Sequence, residues 1–178
     1  DERKLEEKQK KVALFRTQKL WDKIVLVDGL GRSGKSVLLP VLASFKDFDM
    51  ERIEFIYDKI AVLSSLGKIT KDAAVILLQT ETDSKLYESQ VGRNMNFRFS
   101  DHSSVFHHPN TFEAIRRLFK KDGQERVDDI LRKKPIFQIM THDILGSIDI
   151  FFDAFDDNVK ILEIVKHPID QVYSQYKR

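Results

Sequence analysis

Residues 23 to 36 read Lys23-Ile24-Val25-Leu26-Val27-Asp28-Gly29-Leu30-Gly31-Arg32-Ser33-Gly34-Lys35-Ser36. The first part is a short apolar run with β-branched side chains, which predicts a buried strand over Lys23–Val27. The rest fits the G-x-x-x-x-G-K-[ST] pattern of phosphate loops through Gly29, Gly34, Lys35 and Ser36. Glycines let several backbone N–H groups point at one anion, and the start of the following helix adds partial positive charge. The stretch therefore predicts a phosphate-binding loop between a strand and a helix, with a glycine-rich surface turn as the alternative.

Composition narrows the class of protein. A chain of 178 residues with a net charge of +2 predicts one globular domain without the overall basic field of a nucleic-acid-binding protein. The absence of cysteine excludes disulfides, thiolate catalysis and zinc–thiolate sites, and it fits a reducing compartment such as the cytoplasm without requiring one. No apolar run approaches the roughly 20 residues that span a bilayer. Nothing in the composition indicates an oligomeric state.

The domain organisation divides near residue 22. Residues 1–22 are rich in Lys, Glu and Gln, and they predict a charged helix or extension that packs onto the domain towards Trp21. Residues 23–178 form the predicted domain. Because the chain lacks an initial Met, we expect it to be a fragment, and because it ends within a predicted helix, we expect the domain to be incomplete at its C-terminus.

The predicted fold is α/β. Apolar strands at 23–27, 136–140 and 160–165 alternate with helical patterns, which indicates a parallel sheet flanked by helices, as in the three-layer sandwich of P-loop NTPases. Residues 50–66 favour a helix, with a short strand as the alternative at 53–57. The predicted helix N-caps are Thr70, Ser147, Asp170, and Asn110 with Glu113 as a capping pair.

Three predicted strands end in polar residues. In open parallel sheets, ligands bind outside the carboxyl ends of the strands. The phosphate loop follows the first strand, Thr141-His142 follows the second, and Lys166 follows the third. Ser174, eight residues beyond Lys166, falls near the start of the last helix, where hydroxyl and free N–H groups suit an anion. Taken singly, His142 is equally consistent with a capped loop histidine and Lys166 with a solvated lysine.

These segments resemble the motifs of sulfotransferases. Residues 32–36 look like the 5′-phosphosulfate loop of that family, often K-S-G-T-T. Thr141-His142 resembles the K-T-H that carries the catalytic base in the cytosolic branch. Residues 166–174 resemble the 3′-phosphate segment, usually written R-x-P-x-x-x-x-x-S. The resemblance covers roughly residues 23–176, and no motif aligns within 50–130.

The resemblance implies a transferase that uses 3′-phosphoadenosine 5′-phosphosulfate. His142 would be the general base for a hydroxyl acceptor, and Lys166 and Ser174 would hold the 3′-phosphate. Lys35 and Arg32 would stabilise the charge that develops during transfer, and the scheme requires no metal. The residues implied at the 5′-phosphosulfate are Gly31, Arg32, Ser33, Gly34, Lys35 and Ser36.

The sequence departs from the family pattern at three points. Lys166 stands where the family prefers Arg, so it keeps the charge and loses the bidentate fork. Lys35 stands where many members have Thr, so the loop also satisfies the nucleotide-kinase pattern. The family's downstream glycine-rich loop does not occur before Arg178.

The alternative function is that of a P-loop kinase or NTPase with ATP and Mg²⁺, and a non-catalytic nucleotide-binding module is a third. A kinase needs a carboxylate at a strand end to hold Mg²⁺. Asp143 is a candidate, whereas Glu163 lies inside its predicted strand and suits a buried pair or an edge position. The kinase hypothesis leaves the spacing of Lys166 and Ser174 unexplained. For a sulfotransferase, the polar segment 93–104 suits either an acceptor pocket for a carbohydrate or an ordinary surface loop.

Overall fold

The computed structural model describes residues 18–49, 52–93, 95–101 and 104–177. Within these ranges the strands are β1 (Lys23–Asp28), β2 (Arg52–Ile53), β3 (Ile136–Met140) and β4 (Val159–Glu163). The helices are α1 (Lys35–Ala43), α2 (Ile56–Ser65), α3 (Lys71–Gln90), α4 (Thr111–Arg117), α5 (Gln124–Lys133), α6 (Asp149–Phe155) and α7 (Pro168–Tyr176). Short 3₁₀ turns occupy Val105–His107, Leu145–Ser147 and Asp156–Asn158.

The strands form one parallel sheet in the order β2-β3-β1-β4. Ile24 pairs with Phe137 on one side and with Val159 on the other, so β1 is central. Its continuous apolar run is what a strand covered on both faces requires. The predicted α/β class with a parallel sheet flanked by helices is therefore confirmed.

Helices cover both faces of the sheet because alternate strand residues point to opposite sides. Ile24 and Leu26 face the larger core, together with side chains of α2, α3, α5 and α6. Val27 and Met140 face α1 on the other side, where they pack with Leu39 and other apolar residues.

This arrangement places the topological switch point of the sheet, where open α/β sheets have their crevice, between the carboxyl ends of β1 and β3. The chain leaving β1 enters α1 on one face, whereas the chain leaving β3 enters α6 on the opposite face. Neighbouring parallel strands whose connections diverge in this way leave a gap between their ends, and open α/β sheets bind ligands there. The loops 29–34 and 141–144 border this crevice.

Most element predictions are confirmed, with small changes at the ends. β4 ends at Glu163 and not at Val165, because its only partner in the sheet, β1, ends opposite it at Asp28. The predicted helix within 50–66 is confirmed as α2, whereas the alternative strand at 53–57 is wrong beyond Ile53, because β2 covers only Arg52–Ile53 and the helix begins at Ile56. The predicted N-terminal helix lies mainly in 1–17, outside the described residues. Residues 18–22 contain no helix, although Trp21 is buried against Phe155 with ring centroids 5.0 Å apart.

Of the four predicted helix caps, Thr70 is confirmed, Asn110 is confirmed in position only, and two are wrong. Thr70 caps α3 by accepting a hydrogen bond from the backbone N–H of Ala73. Asn110 occupies the N-cap of α4 but makes no side-chain capping bond, because its amide donates to the carbonyl of Ala43.

The other two predicted caps are not at the N-cap positions, because each helix begins at a different residue than predicted. Ser147 belongs to a 3₁₀ turn, and α6 begins at Asp149 after Ile148. Asp170 lies inside the first turn of α7, because the helix already begins at Pro168, a residue well suited to that position.

Candidate functional site

The loop between β1 and α1 turns through residues with positive φ. The φ angles are +133° at Gly29, +65° at Arg32 and +110° at Gly34. A Cβ atom on Gly29 would lie 2.5 Å from the carbonyl oxygen of Ile164, so only glycine lets the loop pass the end of β4. A Cβ atom on Gly34 would meet no atom within 4 Å. The loop is therefore tightly packed at its start and open beside the first turn of α1.

Lys35 is the central cation of this loop. Its side chain folds back so that the ammonium donates to the carbonyl oxygens of Gly29 and Leu30, and the residue is only 4% exposed. Burial lowers the pKa of Lys35 below its ordinary value, although surrounding carboxylates oppose the shift. Those carboxylates belong to Asp28, Asp58, Glu163 and Asp143.

Asp28 ties the phosphate loop to the loop that follows β3. It is fully buried at the last position of β1. One carboxylate oxygen accepts a hydrogen bond of 2.9 Å from the hydroxyl of Thr141, and the other accepts one of 2.9 Å from the backbone N–H of Ile144. Both oxygens are thus engaged, and the segment that carries His142 is held at the crevice.

Glu163 is the in-register neighbour of Asp28 at the end of β4. Burial raises the pKa of Glu163, and the charge of Asp28 and a hydrogen bond with it raise the pKa further, while Lys35 acts in the opposite direction. β4 is an edge strand of the sheet, so the edge position offered for Glu163 is confirmed, whereas its side chain is only half-buried.

His142 is held from two sides by the start of α2. Its backbone N–H donates to Oδ1 of Asp58 at 2.8 Å, and its ring Nδ1 lies 3.2 Å from Oδ2 of the same residue. The ring of Phe55 stacks on the imidazole with centroids 5.1 Å apart and planes inclined by 22°. Because the imidazole is 30% exposed, it remains accessible to a substrate. An accessible imidazole oriented by a carboxylate suits a general base.

Lys166 and Ser174 are in direct contact with each other. The ammonium of Lys166 donates to the Ser174 hydroxyl at 2.5 Å, and that hydroxyl donates to the carbonyl of Asp170. The same helix reaches the phosphate loop, because the amide of Gln171 donates to the carbonyl of Gly31 at 2.6 Å. Lys166 lies in the segment before α7, and Ser174 lies in the last turn of this nine-residue helix, so the prediction that Ser174 falls near the helix start beside free N–H groups is wrong. The two side chains nevertheless meet, and α7 packs against the phosphate loop.

The loop has the properties that a phosphate-like anion needs. The hydroxyl of Ser33 is buried without a hydrogen-bond partner among the described residues. The N–H groups of Lys35 and Ser36, at the first two positions of α1, have no preceding helical carbonyl to bind. A phosphate or sulfate oxygen accepts hydrogen bonds from such donors. The residues present thus fit the 5′-phosphosulfate end of the implied co-substrate.

The arginines of segment 93–104 form surface ion pairs, whereas the carbohydrate hypothesis expects them to line an acceptor pocket. Arg93 pairs with Asp122 at 3.3 Å and Arg98 with Asp101 at 3.5 Å, and all four are surface side chains. Asn110, a few residues later, binds Ala43 at the end of α1 that is distant from the phosphate loop. The described contacts of this segment favour the surface-loop alternative.

Four site residues were not predicted from the sequence: Asp28, Phe55, Asp58 and Gln171. Asp28 offered a signal, since a carboxylate that directly follows a buried apolar run must find partners. Asp58 and Phe55 offered none, because their relation to His142 depends on where α2 docks.

Comparisons with protein-family models, curated proteins and solved structures found no match to this chain. Within the described ranges, no group of three or more His, Cys, Asp or Glu side chains is arranged to hold a metal ion. None of the helices in the described part of the chain is long and apolar enough to cross a membrane.

Proposed function

We propose that this protein is a sulfotransferase that moves a sulfuryl group from 3′-phosphoadenosine 5′-phosphosulfate to a hydroxyl acceptor, for which a carbohydrate is one candidate. The observation that carries the proposal is the 2.5 Å contact between Lys166, in the segment before α7, and Ser174 on α7, a helix that also binds the phosphate loop through Gln171. The co-substrate carries one anionic group at its 5′ position and another at its 3′ position, so the protein needs two anion sites to bind it. With the proposal goes a P-loop NTPase-like fold, supported by the loop's position between β1 and α1.

The side chains then have distinct roles. His142 accepts the proton that the acceptor hydroxyl loses. Lys35 leaves the carbonyls of Gly29 and Leu30 to bind the 5′ group, and Arg32 at the exposed turn adds a second positive charge. The co-substrate supplies the activated sulfuryl group. Lys166 and Ser174 hold its 3′-phosphate as a point charge and a hydroxyl.

Binding of adenosine 3′,5′-bisphosphate tests the proposal directly. A ligand that binds only the folded state raises the melting temperature by mass action, by RT ln(1 + [L]/Kd) in free energy. We expect the bisphosphate, without metal, to stabilise the protein. Lys166→Ala should weaken that binding about tenfold or more, because it removes a charge-assisted contact. Thermal shift over a ligand titration measures both effects.

Lys160→Ala is the matched control, because Lys160 is an exposed lysine on the same strand–helix unit. It should leave the affinity for the bisphosphate unchanged. Stabilisation by ATP with Mg²⁺ alone, with no response to the bisphosphate, would contradict the proposal. An equal loss of affinity for the bisphosphate in Lys166→Ala and Lys160→Ala would contradict the specific role of Lys166.

A kinase or NTPase that uses ATP and Mg²⁺ remains the second candidate. The observation that favours it is the set of carboxylates around Lys35, which includes Asp143 after β3. Asp143 has a φ of +56° and an exposed side chain, so it is accessible to a cation. Stabilisation by ATP that depends on Mg²⁺ and is lost in Asp143→Asn would favour this function.

A further inference from the structure

We infer that Asp58 is a positioning residue that holds His142 in the tautomer with the proton on Nδ1, and so leaves the lone pair of Nε2 for the acceptor's proton. The inference deepens the proposed function and rests on it, because it assigns the orientation of the proposed base. Asp58 and His142 lie 84 positions apart in the chain and meet only through the fold.

The two carboxylate oxygens of Asp58 bind two different groups of His142. Oδ1 accepts from the backbone N–H at 2.8 Å, and Oδ2 lies 3.2 Å from ring Nδ1. An ionised carboxylate only accepts hydrogen bonds, so the ring nitrogen that faces it must carry the proton. In a neutral imidazole, the other nitrogen is then the acceptor.

The first turn of α2 presents this carboxylate in a fixed place. Phe55 and Asp58 are three residues apart, which puts them on neighbouring positions of one helix face. Phe55 covers one face of the imidazole while Asp58 binds its edge, so ring translation and ring rotation are both restricted. Tyr57 lies between these two residues in the sequence and is fully buried. Its hydroxyl lies 3.3 Å from the hydroxyl of Thr82, which anchors the turn to α3.

A purely structural role for Asp58 needs only one of these contacts. The bond to the backbone N–H would cap the loop after β3 without involving the ring. The second oxygen and the stacked Phe55 constrain the imidazole itself, which is 30% exposed while Asp58 is 17% exposed. A substrate can thus reach the ring, whereas the carboxylate behind it is largely covered.

The Asp58→Asn variant separates orientation from folding. The asparagine oxygen can still accept from the backbone N–H of His142, while its NH₂ group donates to Nδ1 and forces the ring proton to Nε2. Nitrogen-15 NMR of the histidine side chains reads the tautomer directly. Spectra are recorded well above the ordinary histidine pKa of about 6.5 so that the rings are neutral, and His142→Gln identifies the His142 signals.

We expect Nδ1 of His142 to show the chemical shift of a protonated nitrogen in the wild type and of a lone-pair nitrogen in Asp58→Asn. Asp58→Glu should restore the wild-type pattern, because it returns a carboxylate. Asp72→Asn is the matched control, because Asp72 is the first-turn acid of the neighbouring helix α3 and its loss should leave the His142 signals unchanged.

An unchanged His142 tautomer in Asp58→Asn overturns the inference, as does a wild-type ring protonated on Nε2. The proposed function is read separately, from the binding of adenosine 3′,5′-bisphosphate. If the wild type does not bind that ligand, the function fails while the tautomer result still stands. If it binds and the tautomer does not change, only the role of Asp58 fails.

Discussion

At the scale of single residues, the acidic side chains around Lys35 give the site a distinct dependence on pH. In the folded protein the pKa of Glu163 lies above its ordinary value of 4.5, because burial and the neighbouring Asp28 disfavour its charged form. Between these two pKa values the folded state retains a proton that the unfolded chain releases. The stability linked to Glu163 is therefore present below pH 4.5 and is lost as pH rises through the raised pKa.

Glu163→Gln should remove this loss of stability. Relative to the wild type, we expect the variant to gain stability as pH rises from about 4 to about 8, because glutamine has no proton to release. Urea unfolding at several pH values across this range measures the difference. If the difference in unfolding free energy between variant and wild type is the same at about pH 4 and about pH 8, the raised pKa of Glu163 is contradicted.

Glu113→Gln is a control for which the expected change of stability with pH has the opposite sign. Burial alone raises the pKa of Glu113, but a hydrogen bond from Lys120 and the charges of Lys120, Arg117 and Arg116 lower it overall. Its stabilising contribution is therefore present above the ordinary pKa and is lost as pH falls through the lowered one. The variant should lose stability relative to the wild type at about pH 8 and much less at about pH 4.

At the scale of elements, the passage of the phosphate loop beside β4 depends on one glycine. In Gly29→Ala, the new Cβ would lie 2.5 Å from the Ile164 carbonyl, at a φ of +133° that an alanine rarely adopts. We expect a loss of about 2 kcal/mol or more in unfolding free energy, from strain and steric overlap together. Chemical denaturation measures it.

Gly146→Ala is the companion variant in the 3₁₀ turn before α6. A Cβ there meets no atom within 4 Å, so the unfolding free energy should change by less than about 0.5 kcal/mol. Equal destabilisation by the two alanines would show that the close approach at Gly29 is not the cause.

The elements were predictable where their signals are local. Apolar runs marked β1, β3 and β4, and Thr70 marked the start of α3, because strand burial and helix capping each depend on a few adjacent residues. The caps at Ser147 and Asp170 were wrong because several polar residues near a helix start can serve as caps. The surrounding packing selects which backbone position begins the helix.

At the scale of the whole molecule, a buried ion pair joins segments that are far apart in the chain. Nη1 of Arg117, at the end of α4, lies 2.5 Å from Oδ1 of Asp49, which also accepts from Gln90 at the end of α3. The same guanidinium nitrogen donates to the hydroxyl and the carbonyl of Ser89. The pair therefore holds α3 and α4 against the segment that precedes β2.

Arg117→Ala should destabilise the fold by about 3 kcal/mol or more, because it leaves the carboxylate of Asp49 buried without its cation. Arg98→Ala removes an exposed arginine whose partner is Asp101, so we expect a loss below about 1 kcal/mol. Urea unfolding of both variants measures the contrast. Similar losses of unfolding free energy in the two variants would show that the buried Arg117–Asp49 pair stabilises the fold no more than an exposed pair does.

By itself, the sequence determined the parallel α/β architecture and the strand–loop–helix unit at 23–43. Both follow from local patterns, since apolar runs bury strands and glycines permit positive φ. Only the tertiary structure decided that Asp58 binds His142 and that Asp28 binds Thr141, across 84 and 113 residues of chain. The physical reason is that periodicity marks the apolar face of a helix such as α2, whereas the neighbour of its polar residues depends on where that face docks.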